Sequence, residues 1–474
     1  MKHIKKLLVS ALSTLLISGA YADNLDFSVK LKDNANLNGI NSLNLQSIES
    51  IAKLESIQKQ NNHYVFSFKT NNDQSMNLKA DAKESKEAID FHKAMEITRA
   101  LQKNNQIEYA VYRGVQMKAL GLLSPNVALK DSTISGSSSR WNEQWDMHGP
   151  YSVHADTAWN LIAGKNLSDV TVAITDTGIA PNAPNDIKNR VIHGLYFTQS
   201  GSEPVSFTTD PTDHGSFHGT HVAGTIGAVG PVVKGVTAKA DSVELVAVKV
   251  LGDNGSGSFD AVDAGVEWAV GANAGYDKVP NNAPVNAHPA QVVNLSLGAQ
   301  KQPWTSQKDW NTFSEEYCKS WQYVVDVAHQ HNATLVIAAG NGNFFGPTDI
   351  AESLPAGCTN GDSVVVSATG PKGQMAFYSN TANNAQTLGN NTSITAPGGN
   401  DSTGNNKGDE ILSTVDNGYG FMQGTSMATP HVAGVTALIY ATHPGISYNE
   451  VQVKLKSSET DANHNILDAS VAVS

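Results

Sequence analysis

The sequence predicts an α/β protein, a mostly parallel sheet with helices on both faces, preceded by a small α+β unit. Three observations carry this expectation. Five short apolar runs (Val170–Thr175, Val243–Lys249, Gln291–Leu295, Thr334–Ala338 and Ser363–Ser367) recur with helix-length stretches between them. Short buried strands alternating with helices are the mark of a parallel sheet covered on both sides. The chain before residue 132 has a different composition, poor in Gly and rich in Lys, Asn and Gln, and it reads strand, helix, strand. Charge divides the same way: residues 23–131 carry 14 Lys+Arg against 13 Asp+Glu, a net of +1, and residues 132–474 carry 15 against 31, a net of −16. Two folding units follow.

Taken in order, residues 1–22 read as a secretory signal peptide. Lys2, Lys5 and Lys6 precede the apolar run Leu7–Ile17, and Ala20-Tyr21-Ala22 supplies small residues flanking a cleavage point. The apolar run falls short of the roughly 20 residues a spanning helix needs. In the unit 23–131, His63–Thr70 alternates at period two as a strand does. Lys83–Lys103 places Ala88, Phe91, Ala94, Met95, Ile97 and Leu101 at helical spacing. Ile107–Val115 reads as another strand. Asp131–Ser139 is a Ser-rich linker of the kind proteases cut. In the unit 132–474, Ser258–Ala272 and Trp321–Gln330 read as helices between the strands. A last helix opens in GTSMATPHVAG (424–434) and continues VTALIYATH without a charge, so it is expected to be buried.

The balance of charges excludes whole classes of partner. An acidic major unit argues against nucleic acid and against anionic membrane. In an exported protein the pair Cys318 and Cys358 is expected to form a disulfide, worth roughly 4 kcal/mol in the chain-entropy model. Two thiols could not complete a zinc site, so no metal is expected there. The product is expected to be a secreted monomer.

Three polar residues stand at strand ends or helix starts. Asp176 closes the apolar run Ala173-Ile-Thr-Asp; alone it is best read as a turn or cap aspartate. His218 opens His218-Gly-Thr-His-Val-Ala-Gly224, where a core or capping histidine is an equal reading. Ser426 stands at the mouth of the charge-free helix, where nothing structural calls for a hydroxyl. His214, His221 and His431 are assigned to structure.

The words Asp-Thr-Gly, His-Gly-Thr-His-Val-Ala-Gly and Gly-Thr-Ser-Met-Ala-Thr-Pro-His-Val-Ala-Gly, in this order, resemble the subtilisin-like serine proteases, or subtilases, over roughly Asn142–Ala472. The resemblance implies Ser426 as nucleophile, His218 as general base and Asp176 as the group that orients the imidazole. A serine hydroxyl attacks at neutral pH only when a base takes its proton, and histidine titrates in the right range. A helix N-terminus puts the Ser426 N–H and the helix dipole at the developing oxyanion, with Thr425 expected to assist. Pro430 is expected in the first turn, where its missing N–H has no partner to lose. The family places a side-chain oxyanion donor at the asparagine of Ala338-Ala-Gly-Asn-Gly342, here Asn341.

Gly255, Ser256 and Gly257 on one segment, and Ser296, Leu297 and Gly298 on another, match the family's two substrate-pairing strands. Main-chain pairing recognises polypeptide with little regard to sequence. The specificity pocket falls partly in the loop Gly342–Cys358, with Phe344 and Phe345 as candidate wall or loop core. The unit 23–131 resembles a subtilase propeptide, with Ile107-Glu-Tyr-Ala as its last strand. That likeness implies a zymogen whose propeptide inhibits in cis and is cut between about Arg113 and Arg140. Leu467-Asp-Ala469 is a usual finish for the family's domain, so no further domain is expected after it.

There are departures from the family pattern. Phe217 stands where many members have glycine, an exchange shared with a secreted bacterial branch that also carries a cysteine pair bracketing the Ala338-Ala-Gly-Asn341 strand. Thr175 replaces an aliphatic residue. No cofactor is required by the chemistry. The loop Gly230–Lys234 lacks the oxygen side chains that hold calcium in many members, so that site is expected to be absent; a structural calcium elsewhere in so acidic a domain is compatible with the sequence. A silent binding protein, the acid-acting relatives with a Glu/Asp pair and a metal hydrolase are disfavoured. Asp176, His218, Asn341 and Ser426 are all present, and no His-Glu-x-x-His occurs.

Overall fold

Alternation of apolar and polar side chains marks the central strands of the first sheet. In the computed structural model β3 (His63–Thr70) pairs antiparallel with β1 (Asn24–Leu31) on one side and β2 (Ala52–Gln60) on the other, and β4 (Ile107–Tyr112) completes the order β2-β3-β1-β4. The structure describes residues 24–33, 48–71, 85–123, 138–343, 346–383, 385–404, 406–459 and 466–474. The expected signal peptide, residues 131–137 of the expected linker, Phe344 and Phe345 lie outside these residues. Helix α1 (Lys86–Leu101) opens at Ser85, whose hydroxyl accepts the Ala88 N–H, and buries the residues expected from its spacing. Beyond β4 the chain continues as β5 (Gln116–Ala119) and β6 (Leu122–Leu123), which join no strand of this first sheet.

The second unit holds an eight-stranded sheet. Its strands are β7 (Val170–Asp176), β8 (Val191–Thr198), β9 (Ser206–Thr208), β10 (Val243–Lys249), β12 (Val292–Leu295), β14 (Thr334–Ala338), β16 (Val364–Thr369) and β17 (Thr392–Pro397). They lie in the order β17-β16-β14-β12-β7-β10-β8-β9, every pair parallel except β8 with the edge strand β9. The five predicted runs are therefore the sheet's centre. Strands β8 and β17 were not foreseen, since Val191–Thr198 and Thr392–Pro397 mix polar and apolar residues.

Helices cover both faces. On one side α3 (His218–Gly227) and α6 (Thr425–Thr442) are buried along their whole length but for the last residue of α6, and α2 (Ala155–Ile162) packs beside them. On the other side lie α4 (Phe259–Ala269) and α5 (Gln307–Gln330). The helix expected from Trp321 in fact begins fourteen residues earlier, at Gln307. Trp310, Phe313, Tyr317 and Trp321 already form a helical stripe through its polar first half.

That second face carries the first unit. Phe27, Phe66, Phe68, Phe91, Tyr109 and Met117 share one continuous apolar core with Phe259, Phe313, Tyr317 and Trp321. Phe91 meets Phe313 edge-on at 5.7 Å and Trp304 at 6.0 Å. Polar contacts ring this core: Arg99 to Asp309 at 2.8 Å, Lys30 to Asp277 at 3.3 Å, and the Ala110 N–H to Glu316 at 2.6 Å. The cations come from the near-neutral unit and the carboxylates from the acidic one. A disulfide joins Cys318 of α5 to Cys358, with S–S 2.04 Å. Among the described residues no helix is long and apolar enough to cross a membrane.

Candidate active site

Three adjacent strands of the parallel sheet end at one place, where a doubly wound sheet opens its crevice. Asp176 is the last residue of β7, Ser296 directly follows β12, and Asn341 follows β14 by three residues. Asp176 and His218 are both buried, and His218 Nδ1 lies 2.8 Å from Asp176 Oδ1. The same oxygen accepts the Thr177 N–H at 2.7 Å. Thr177 in turn fixes the histidine's helix. Its hydroxyl accepts the Gly219 N–H at 2.9 Å and donates to Asp213 at 2.6 Å. Phe217, at the N-cap, has φ 56°, a left-handed conformation rare for a bulky residue. This is the physical reason glycine is common at that position.

Ser426 sits in the first turn of α6, fully buried. Its Oγ donates to the Ser296 carbonyl at 2.8 Å, while His218 Nε2 has no hydrogen-bond partner among the described residues. The Ser296 hydroxyl donates back to the Ser426 carbonyl at 2.8 Å. Pro430 explains that second bond. It lies in the second turn rather than the expected first, so an N–H at this position would have bonded the Ser426 carbonyl four residues earlier. Proline leaves that acceptor free, and the Ser296 hydroxyl takes it.

Asn341 is clamped by its oxygen. Oδ1 accepts both the Thr425 N–H at 2.9 Å and the Thr425 hydroxyl at 2.8 Å. Thr425 thus acts by aiming Asn341. The amide nitrogen then points outward and donates to the carbonyl of Leu120. Leu120 belongs to the first unit, and its chain threads the crevice. Strand β5 lies antiparallel between β11 (Ser256–Ser258) and β13 (Leu297–Gln300), in a four-stranded sheet β11-β5-β13-β15 closed by β15 (Ser353–Leu354). Lys118 pairs with Ser256 and Gly298, Met117 with Gly257, and Ala119 with Leu297. The Ala119 N–H donates to Gly255 at 2.9 Å and the Leu120 N–H to Ser296 at 3.2 Å. All six residues expected to pair with an extended chain therefore lie along β5 or immediately beyond it.

Past Leu120 the chain crosses the crevice. A Cβ on Gly121 would fall 2.8 Å from His218 Nε2, so only glycine brings the backbone this close. A Cβ on Gly424 would lie 2.4 Å from the Leu120 oxygen, which explains the glycine before the helix. Strand β6 then pairs antiparallel with β19 (Gly418–Gln423), itself a hairpin partner of β18 (Ile411–Val415). The Leu120–Gly121 peptide is thus held with its carbonyl at Asn341 and its far side against His218.

His221 and His431 are structural by contact. His221 Nε2 faces the Ile411 carbonyl at 3.0 Å, and burial pushes its imidazole down to about 3. His431 bridges the Met427 carbonyl and Asp146, both at 2.8 Å. The loop Gly230–Lys234 turns N–H groups inward: Val233 donates to Asp186 at 3.2 Å and Lys234 to Gln144 at 2.9 Å. Donor groups of that kind do not fit calcium. Among the described residues no group of three or more His, Cys, Asp or Glu is placed to hold a metal.

The subtilase family model matches residues 168–472. An extracellular protease of Xanthomonas campestris pv. campestris is 31% identical over 342 residues, 66% of this chain and 50% of that protein. A subtilisin of Bacillus pumilus is 33% identical over 298 residues, 63% of this chain and 86% of that protein. Among solved structures, one of proteases from Pseudoalteromonas arctica PAMC 21717 superposes with a TM-score of 0.54 at 28% identity, over 71% of this chain and 98% of that one. The chain spans about half the length of the first curated relatives it matches, 50% of the Xanthomonas protein and 47% of an extracellular basic protease of Dichelobacter nodosus.

Proposed function

The chain belongs to the subtilase family, and on that premise we propose that it is a secreted serine endopeptidase made as a precursor that cuts itself between Leu120 and Gly121. One observation carries the reading: among the described residues of the first unit, a single peptide bond lies between the Asn341 amide and the His218 imidazole beside Ser426. The proposed bond lies inside the interval from about Arg113 to Arg140, and on this reading the propeptide ends at residue 120, before the boundary at 131 expected from sequence.

The residues divide the work as follows. A rotation about χ1 moves the Ser426 hydroxyl from the Ser296 carbonyl to His218 Nε2, which takes its proton as the oxygen attacks the Leu120 carbonyl carbon. Negative charge develops on the Leu120 oxygen, where the Asn341 amide already donates. Asp176 holds Nδ1 and stabilises the imidazolium. His218 then delivers the proton to the Gly121 nitrogen, that amine leaves, and water releases the acyl group from Ser426 by the same steps in reverse order. The excised strand remains paired until it dissociates, so the first unit blocks the groove as a product. Polypeptides replace it there, with a medium apolar side chain favoured in the Leu120 position. Leu120 is buried there against Gly298.

The test is mass spectrometry of the secreted protein after fluorophosphonate treatment, beside a Ser426→Ala chain. The reading expects one adduct on Ser426 and a new N-terminus at Gly121 that the variant lacks. An unlabelled, fully processed wild type, or the same N-terminus in Ser426→Ala, would overturn it.

A further inference from the structure

Arg113 lies seven residues before Leu120, and its guanidinium is buried with 4% of its side chain exposed. The groups that receive it come largely from the other unit. Asp260 Oδ2, in the first turn of α4, accepts from Nε at 2.7 Å. The carbonyls of Gly201 and Glu203, on the turn between β8 and β9, accept from one terminal nitrogen at 3.0 and 3.2 Å. Ser28 and Gln60 of the first unit complete the shell at 3.1 and 3.2 Å. One carboxylate and two carbonyls, with no donor among them, match the planar fork of N–H groups that only arginine presents.

These acceptors belong to the unit that remains after cleavage, and their occupant leaves with the propeptide. Asp260 is then left with Lys278, 3.8 Å away, as its nearest cation. While the two units are together, burial alone would raise the Asp260 carboxyl, but Arg113, Lys278 and His63 together hold it well below the ordinary carboxylate range. The site is continuous with the substrate groove. Two residues, Gly114 and Val115, separate Arg113 from Gln116 at the start of β5, which pairs with Ser258, and Ser258 is the N-cap of the helix that carries Asp260.

We propose that Asp260 and the carbonyls of Gly201 and Glu203 form a guanidinium subsite that selects polypeptide substrates with an arginine seven residues before the cleaved bond's leucine position. The proposal rests on the endopeptidase reading above. It gives the enzyme a contact well beyond the groove strands, where backbone pairing has ended and a side chain must supply the recognition. Lysine, a point charge without the fork, fills it less well.

The experiment uses the full chain, expressed and left to process, and internally quenched peptides copying residues 111–124. One peptide keeps arginine at the position of Arg113, and two others carry glutamine or lysine there. A shorter peptide copies residues 117–124. The arginine peptide is expected to exceed the glutamine peptide about tenfold in kcat/KM, a charge-assisted contact discounted for its exposure once the propeptide has gone. Added salt should narrow the gap, and in Asp260→Asn the ratio should fall to near one. Equal rates for the arginine and glutamine peptides in the unmutated protein would overturn the subsite without reference to any variant. A ratio unchanged in Asp260→Asn would do the same. If no peptide is cut, the short one included, the endopeptidase reading itself fails; cleavage of the short peptide with no arginine preference overturns the subsite alone.

Discussion

His63 should make the docking of the first unit weaken in acid. Its side chain is buried in β3, and neither ring nitrogen has a hydrogen-bond partner among the described residues. Burial lowers its pKa most; Asp260 and Asp277 favour the proton, while Lys278 and Arg113 oppose it. The result is an imidazole pushed down to about 4 from the usual 6.5. Above pH 6.5 the ring is neutral whether the unit is folded or not, and pH has no hold on it. Between 6.5 and 4 the unfolded chain takes up a proton that the folded one refuses, so stability falls with pH across that window. A displacement of this size is worth about 3 kcal/mol when complete. Asp263, raised to about 6 by burial, works in the opposite sense, losing stability as pH rises towards 6. The informative quantity is therefore a difference between two chains that share Asp263.

We would compare His63→Leu with the unmutated sequence, both carrying Ser426→Ala so that neither is cut. Urea titrations at pH 7.5, 5.5 and 4 would be followed by the fluorescence of Trp304, which Phe91 covers only while the unit is docked. The chain with histidine should lose about 3 kcal/mol relative to the leucine chain on going from pH 7.5 to 4. Curves that stay parallel across the window would refute the reasoning.

Other outcomes follow from the same geometry. Asn341→Leu should lower kcat by roughly 10²–10³ with little change in KM, the range established for loss of this donor in a subtilisin; steady-state kinetics on a short peptide would measure it. Leu120→Asp places a carboxylate in an apolar pocket and should slow self-cleavage by about tenfold or more, read by pulse-chase of the precursor. Replacing Cys318 and Cys358 together by serine opens a loop of 40 residues and should cost about 4 kcal/mol, seen as a lower urea midpoint in the Ser426→Ala background. Glu410, buried with both carboxylate oxygens unpartnered among the described residues, is pushed up to about 7 by burial and by Asp401. Its contribution is present below about pH 4.5 and lost as pH rises through 7, so Glu410→Gln should gain about 2 kcal/mol at pH 8 and nothing at pH 4.

What could be read in the sequence was whatever the chain states locally. Asp176 follows an apolar strand, His218 opens a helix of small residues, and Ser426 opens a helix without charge, so short words placed each of them. The Trp310, Phe313, Tyr317, Trp321 stripe was equally local, but polar neighbours such as Glu315 and Lys319 masked it. Tertiary facts left no such trace. Nothing near Pro430 tells that a hydroxyl from Ser296, 130 residues from Ser426, takes the carbonyl it frees. Nothing near Arg113 points to Asp260, 147 residues away. Strand β2, with polar residues on most of its length, lacks the alternation that identified β3 and depends on that neighbour for its conformation.

On the proposed reading, the sheet β11-β5-β13-β15 is built around a strand that is lost on self-cleavage. Removing β5 leaves two edges facing each other across a slot one strand wide, about 10 Å from rim to rim at ordinary strand spacing. Open edges usually invite other chains to stack on them without limit and so lead to aggregation. Here the two edges look inward, and a single extended chain saturates both. Growth of a larger sheet is blocked by the opposite wall, while any chain that enters is drawn straight and carried past Ser426. On that reading, the geometry that makes the slot receptive to polypeptide also keeps these two inner edges from stacking without limit.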